Sequence, residues 1–225
     1  VNPAPYLKAV SGTQKPTVEG IFDLAMKFNG EAATLDLLSD QLSEDVRLTS
    51  RSGKFRGFAP SSKSVDIDKL QRTASTVGAL LSAAAGMVGY GEGVSYSEKL
   101  RAAADVLRGF SEISYDQLNV ELTHPAGQDT KIADISLISP EIRFVGNGTV
   151  DTTSSADWFA RPVHLQVAVA VRGQQAENMK KIGLVGADKD TLGYVPLLDR
   201  FPVDGSASSL ATDALGRLLN RALAK

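Results

Sequence analysis

The stretch PVHLQVAVAVR at residues 162–172 decides the fold class of this chain. Along it, apolar side chains alternate with polar or small ones, and the apolar set is Val163, Leu165, Val167, Val169 and Val171. A period of two places these five side chains on one face of a β-strand. A strand this long with one aliphatic face requires a wide partner surface, so the sequence predicts a broad β-sheet.

The segments on the N-terminal side of this strand repeat the same pattern. Alternating runs predict further strands at residues 18–28, 46–58, 113–123, 131–139 and 141–153, with 158–172 as the last long one. The connections at 125–129 and 139–140 are short and contain Pro, Gly or Ser. Short turns of this kind favour antiparallel neighbours over parallel crossover units.

Helices are predicted where apolar residues recur three and four positions apart. The spacing indicates a short helix at 34–42, a helical hairpin formed by 67–88 and 97–109, and a final amphipathic helix at 209–224. Beyond Gly173 the pattern is less regular, and it gives only short strand candidates at 179–185 and 194–198.

These elements predict an α+β fold: a curved antiparallel sheet, arranged as a meander that forms a groove or half-barrel, with an inserted helical hairpin and a C-terminal amphipathic helix. Residues 1–17 are expected to be an N-terminal extension. Residues 18–225 are expected to form one domain, with the helical insertion at about 62–109.

Composition excludes several classes of function. The chain has 225 residues, of which 43% are hydrophobic, and its 24 basic and 26 acidic residues give a net charge of −2, so no nucleic-acid partner is expected. Cysteine is absent, which excludes thiol catalysis, disulfides and Cys-ligated zinc. Neither His124 nor His164 has metal-ligand spacing. We therefore predict no catalytic residue, no metal and no cofactor.

Two carboxylate pairs are candidates for a calcium or acid–base site. Asp66 with Asp68, and Asp188 with Asp190, lack the Gly and distal Glu of a calcium loop, so turns or helix caps are favoured. A hydrolase using paired carboxylates stays as a third hypothesis. The uncharged stretch 73–91 is rich in Ala, Ser, Thr and Gly, which favours a buried or groove-covering helix over a membrane span.

Three blocks of the chain resemble, in order and spacing, the C-terminal region of the AsmA-like family of bacterial envelope proteins. The first block is the strand at 20–24, Gly30, the leucine run at 35–42 and the strand at 51–55; the second is 110–118 followed by 135–150 with its Gly146-Asn147-Gly148 sequence; the third is 201–206 before the final helix. None of these is a catalytic motif. Longer members carry an N-terminal membrane anchor and a long β region that this sequence lacks, which predicts that it is a piece of a longer protein.

The resemblance implies a protein anchored in the inner membrane, whose β-rich groove projects into the periplasm of a Gram-negative-type bacterium and carries phospholipid in outer-membrane biogenesis. Phospholipid or another acyl lipid is then the expected partner, and binding it requires no catalytic residue. The candidate lipid contacts are the apolar strand residues Leu118, Val120, Leu122, Ile142, Phe144, Val163, Leu165, Val167, Val169 and Val171.

These features also allow other interpretations. A strand stripe covered by the protein's own helices has the same pattern as a groove lining, so core is an alternative for residues 163–171. Arg217, Arg221 and Lys225 accompany the leucines of the final helix, which would suit either a membrane surface or a cap on the sheet. A periplasmic scaffold that recruits envelope proteins through strand edges or helices is the alternative function.

Overall fold

The computed structural model describes residues 17–31, 33–34, 41–57, 95–151, 160–206, 209–210 and 213–223. Ten strands and three helices have their bounds in this part of the chain. They are β1 (Val18–Asn29), β2 (Ser43–Phe55), α1 (Tyr96–Ser111), β3 (Ile113–Tyr115), β4 (Gln117–His124), β5 (Thr130–Ile138), β6 (Ile142–Val150), β7 (Pro162–Val171), α2 (Gly173–Lys181), β8 (Val195–Pro196), β9 (Phe201–Ser206), β10 (Ser209–Leu210) and α3 (Asp213–Leu223).

All ten strands belong to one antiparallel sheet. The order along the sheet is β1-β2-β4-β5-β6-β7-β9-β10, while β3 pairs with β2 beside β4, and β8 pairs with β7 beside β9. Strands β4 to β7 follow one another in sequence and in space, which is a meander. The sheet does not close, because β1 and β10 lie at opposite ends of this order. The predicted α+β fold with a large, open antiparallel sheet is confirmed.

Bulges in β2 and β5 interrupt three ladders, β1–β2, β4–β5 and β5–β6. Arg51 and Ser52 of β2 together face the single residue Ile21 of β1, and Ala133 and Asp134 of β5 together face Asn147 of β6. An extra residue on one strand bends that strand and increases the local twist. The bulges therefore add curvature to the sheet at β2 and β5.

One face of the sheet packs with the helices into a single hydrophobic core. Val106, Leu107 and Phe110 of α1 belong to the same cluster as the inward-facing residues of β6 and β7. The rings of Phe55 and Phe144 lie 5.3 Å apart at a tilt of 57° within it. Phe110 and Leu107 are each only 1% exposed, so α1 seals this part of the sheet from water.

Helix α1 matches the second helix of the predicted hairpin closely. Its N-terminus is fixed by a capping box: the Ser95 hydroxyl accepts a hydrogen bond from the Glu98 amide, and the Ser95 amide donates to the Glu98 carboxylate at 2.8 Å. The first predicted helix, at 67–88, lies outside the described residues, as do the uncharged stretch 73–91, residues 1–16 of the extension and most of the predicted helix at 34–42.

Helix α2 corrects the prediction of a strand at 179–185. Met179 and Lys181 lie in the helix, and only Val185 of that stretch makes a β-bridge, to Leu197. The sequence offers no local cap, since Arg172 at the N-cap position makes no side-chain hydrogen bond to the first turn of the helix. Instead, the Glu141 carboxylate accepts the amide proton of Gln174 at 3.0 Å from a distant part of the chain.

The predicted start of the final helix at residue 209 is also wrong. Ser209 and Leu210 form β10, which pairs with Ser206 and Gly205 of β9, and helix α3 begins at Asp213. Leu210 is therefore a strand residue and not part of the helical stripe, because pairing with the sheet outweighs its helical spacing. Within the described ranges, no helix is long and apolar enough to cross a bilayer.

Candidate functional site

The register of the sheet brings apolar side chains from up to seven strands into continuous rows, which we call the apolar face. The first row runs Leu24, Leu48, Val120, Ile135, Gly146, Val167 and Phe201; the second runs Met26, Val46, Leu122, Ile132, Gly148, Leu165 and Val203; the third runs Phe22, Ser50, Leu118, Leu137, Phe144 and Val169. All ten sequence-predicted lipid contacts lie on this face or continue it along β6 and β7.

Most of the predicted contacts lie where the face is closed. Eight of them are at most 5% exposed and belong to the hydrophobic core: Leu118, Ile142, Phe144, Val163, Leu165, Val167, Val169 and Val171. Their side chains contact the protein's own residues, so the apolar stripe of β7 packs as core in this structure. This part of the face is available to a ligand only if the helices move.

The opposite part of the face is accessible, and we call it the open end. On β1, Leu24 is 51% exposed, Met26 47% and Phe28 55%, while the neighbouring Val46, Leu48, Val120 and Leu122 are half-buried. A cavity of about 260 Å³ lies here, lined by Met26, Glu44, Val46, Leu122, His124 and Thr130. Of the ten predicted contacts, Val120 and Leu122 reach the open end.

Sequence reasoning missed the contribution of β1 to this site. The alternation of β1 predicts the strand, but the lipid contacts predicted from the sequence do not include Leu24, Met26 and Phe28. The signal was available in part: the run from Val18 to Phe28 is apolar at every second position. The sequence does not show that β1 lies at the end of the strand order. A strand at this position has a neighbouring strand on one side only, so fewer side chains surround its apolar face.

Tyr115 marks the border between the closed part and the open end. Its hydroxyl hydrogen bonds with the Glu19 carbonyl oxygen at 3.0 Å and with Ser50 Oγ at 3.1 Å, and burial raises the pKa of this phenol. The ring fits over two glycines, because a Cβ at Gly20 or Gly53 would come within 2.4 Å of the Tyr115 hydroxyl. This contact pins the N-terminal half of β1, where Phe22 is only 2% exposed.

An ion-pair network reinforces the same border. Arg56 bridges Glu19 of β1 at 2.9 Å and Glu112, between α1 and β3, at 2.7 Å, and Lys54 bonds to Glu112 at 2.7 Å. Hydrogen bonds from Lys54 and then Arg56 lower the pKa of Glu112 to about 2. These ion pairs tie β1 and β2 to the α1–β3 junction.

The remaining chemistry-bearing residues have structural partners. His164 is exposed on the outer face and its Nδ1 lies 2.8 Å from Asp204, while His124 Nδ1 lies 3.1 Å from the Thr130 hydroxyl. Asp190 accepts the amide protons of Leu192 and Tyr194 at 2.9 Å each, as expected for a turn. Among the described residues, no three His, Asp or Glu side chains gather into a metal-binding group.

The apolar face is therefore the candidate site, and its geometry suits contact with hydrocarbon. Comparison with protein-family models, curated proteins and solved structures finds no match for this chain. The resemblance to the AsmA-like family consequently stays a prediction from the residues given above.

Proposed function

We propose that this chain is a non-enzymatic module of an AsmA-like envelope protein that binds or conducts phospholipid along the apolar face of its sheet. In this proposal it works in the periplasm, attached to the inner membrane through the full-length protein, and contributes to outer-membrane biogenesis. Acyl chains would lie across the open end, in contact with Leu24, Met26 and Phe28 of β1 and with Val120 and Leu122 of β4.

The observation that carries the proposal is the exposure of three large apolar side chains in a row on one face of β1. Each of them is about half exposed, and together with the half-buried residues of β2 and β4 they continue the core outward to solvent. Covering such a surface with hydrocarbon is favourable by about 0.8 kcal/mol for each methylene buried. The outer face at the same strands is polar, with Arg47 and Glu121 paired at 2.6 Å.

The proposal predicts that phospholipid co-purifies with the protein. Mass spectrometry of organic extracts should detect it in the wild-type chain, and a Leu24→Gln/Met26→Gln variant should retain at least about tenfold less, because each substitution removes apolar contact worth about 1 kcal/mol. The same comparison with a fluorescent acyl probe in solution gives a dissociation constant for each variant.

The matched control is Ile21→Gln/Val145→Gln. Both residues are exposed and apolar, at 78% and 45%, but they point to the outer face of β1 and β6. We expect this variant to keep its lipid. Equal loss from both double variants, or no lipid in the wild-type protein, would contradict the proposal.

The edge of β1 supports the second candidate function, a scaffold that recruits envelope proteins. Among the described residues, β1 pairs only with β2, so its other edge can accept a further strand from a partner. A pull-down from envelope extracts should then recover a partner that is lost when Met26→Pro removes an amide donor from that edge of β1, and kept when Leu24→Gln/Met26→Gln leaves that donor in place. Recovery of nothing beyond background would exclude this function.

A further inference from the structure

A cleft of about 290 Å³ lies where the three helices meet, away from the open end. It is lined by the start of α1, the end of α2 with the turn that follows, the segment after β8, and the last turns of α3. None of its lining residues is shared with the cavity at the open end. The cleft is at the small end of the range for ligand pockets, which is about 300–1,000 Å³.

The cleft concentrates positive charge in a chain whose net charge is −2. Lys99 of α1, Lys180 and Lys181 of α2, and Arg221 of α3 line it, and Asp199 is the one carboxylate that the structure places in its lining. Three separate helices thus contribute cations to one concave surface. Four cations on one concave surface give it a positive potential, which favours binding of an anion.

The hydrogen-bond donors of these four side chains are available to a ligand. Lys180 and Lys181 suit the negative end of the α2 dipole, but that interaction occupies no hydrogen-bond donor of their ammonium groups. In the described part of the chain, none of the four cations forms a side-chain hydrogen bond or an ion pair. Glu98 lies near enough to Lys181 to feel its charge, yet its carboxylate already accepts hydrogen bonds from Ser95.

The floor of the cleft is apolar. Ile182, Leu184, Leu218 and Ala222 are buried beneath the cations, and Leu198 stands 68% exposed at the rim. A ligand that fits both parts carries a compact anion with an apolar portion next to it. Phosphate matches the donors best, because its tetrahedral oxygens can accept from ammonium and guanidinium groups arriving from several directions.

We propose that this cleft is a phosphate-binding site, in which Lys99, Lys181 and Arg221 hold a phosphate group while Leu198 and Leu218 contact the part of the ligand attached to it. Either a phospholipid headgroup at a membrane surface or a soluble phosphate ester presents this chemistry. The site is separate from the apolar face and does not depend on acyl-chain binding there.

The test uses a Lys181→Gln/Arg221→Gln variant of the full chain. Flotation with vesicles of equal parts phosphatidylglycerol and phosphatidylcholine measures binding to phospholipid headgroups. Amide chemical shifts during titration with inorganic phosphate measure binding to soluble phosphate. We expect the variant to lose binding at least about tenfold in one of the two measurements, with wild-type shifts centred on residues 180–184 and 218–222. The loss should shrink as salt is raised.

Lys131→Gln/Arg217→Gln is the matched control, since it removes the same charge from exposed positions that do not line the cleft. Loss of vesicle binding alone identifies a headgroup site, and loss of phosphate shifts alone identifies a soluble ligand. Equal weakening by the control, or no response of the wild-type protein to either probe, overturns the proposal. The apolar-face variants distinguish the two sites, because Leu24→Gln/Met26→Gln leaves the cleft intact.

Discussion

At the scale of single residues, the lowered pKa of Glu112 makes the stability of the fold depend on pH. Lys54 and Arg56 hold its carboxylate charged, and its folded pKa of about 2 lies below the ordinary value of 4.5. A lowered pKa stabilises the fold above the unfolded pKa, and this contribution disappears as pH falls from about 5 towards 2. The side chain is 36% exposed, so solvent screening limits the contribution.

Glu112→Gln should therefore lower the free energy of unfolding by about 1 kcal/mol or less at pH 7, and by a smaller amount at pH 3. Urea unfolding at both values measures the difference. Asp105→Asn is the control, because it removes an exposed carboxylate whose partner, Arg108, lies on the same helix. A deficit for Glu112→Gln that does not change between pH 7 and pH 3 would refute the assignment.

Gly173 restricts substitution through both its backbone conformation and a close side-chain contact. Its φ of +61° is left-handed, and a Cβ there would lie 2.7 Å from the Glu141 carboxylate that caps α2. We expect Gly173→Ala to destabilise the protein by about 1–2 kcal/mol. Gly186→Ala is the matched control, since no atom lies within 4 Å of its added Cβ. Equal midpoints of thermal unfolding for the two variants would contradict this account.

At the scale of elements, α1 depends on the capping box at its start. Ser95→Ala leaves the first amides of the helix without their side-chain acceptor and should cost about 1 kcal/mol in urea unfolding. Ser95→Thr keeps a hydroxyl at the same place and should restore most of the loss. If Thr fails to rescue while Ala destabilises, the hydroxyl acts through something other than the cap.

Elements were predictable wherever a single periodicity determined them. The strands β5 to β7 and helix α1 follow from alternation or from a local cap, and the structure has them within a few residues of the predicted bounds. The strand predicted at 113–123 is divided at Asp116 into β3 and β4. Helix α2 was missed because its cap comes from Glu141, and the start of α3 was misplaced because Leu210 pairs with β9. In both places an interaction distant in sequence decides the local structure.

The site itself was predictable only in part, for a related reason. Alternation identifies which residues share a face, and it did so correctly for Val167 and Phe144. Whether a given row is covered depends on where the helices lie over the sheet, which no local pattern encodes. The sequence therefore identified the apolar face but not its open end at Leu24 and Met26.

At the scale of the whole molecule, protection of the sheet should fall from its centre to its β1 end. Strand β6 is paired on both sides, with β5 and β7, whereas β1 is paired with β2 alone among the described residues. Hydrogen exchange should show slow exchange throughout β6 and fast exchange at every second amide of β1. Uniform protection along β1 would mean that another strand covers its edge.

The uneven anchoring of β1 has a mechanical consequence. Tyr115, Arg56 and the buried Phe22 fix the first half of this strand. Among the residues that the structure describes, the second half, from Leu24 to Asn29, is held by its ladder with β2 and by the hydrogen bond that the Ser43 hydroxyl donates to the Asn29 carbonyl oxygen. Strand β1 is thus fixed by side-chain contacts at its N-terminal half. We therefore expect the second half of β1 to be displaced more easily than the first, and its displacement to leave the buried contact of Phe22 in place.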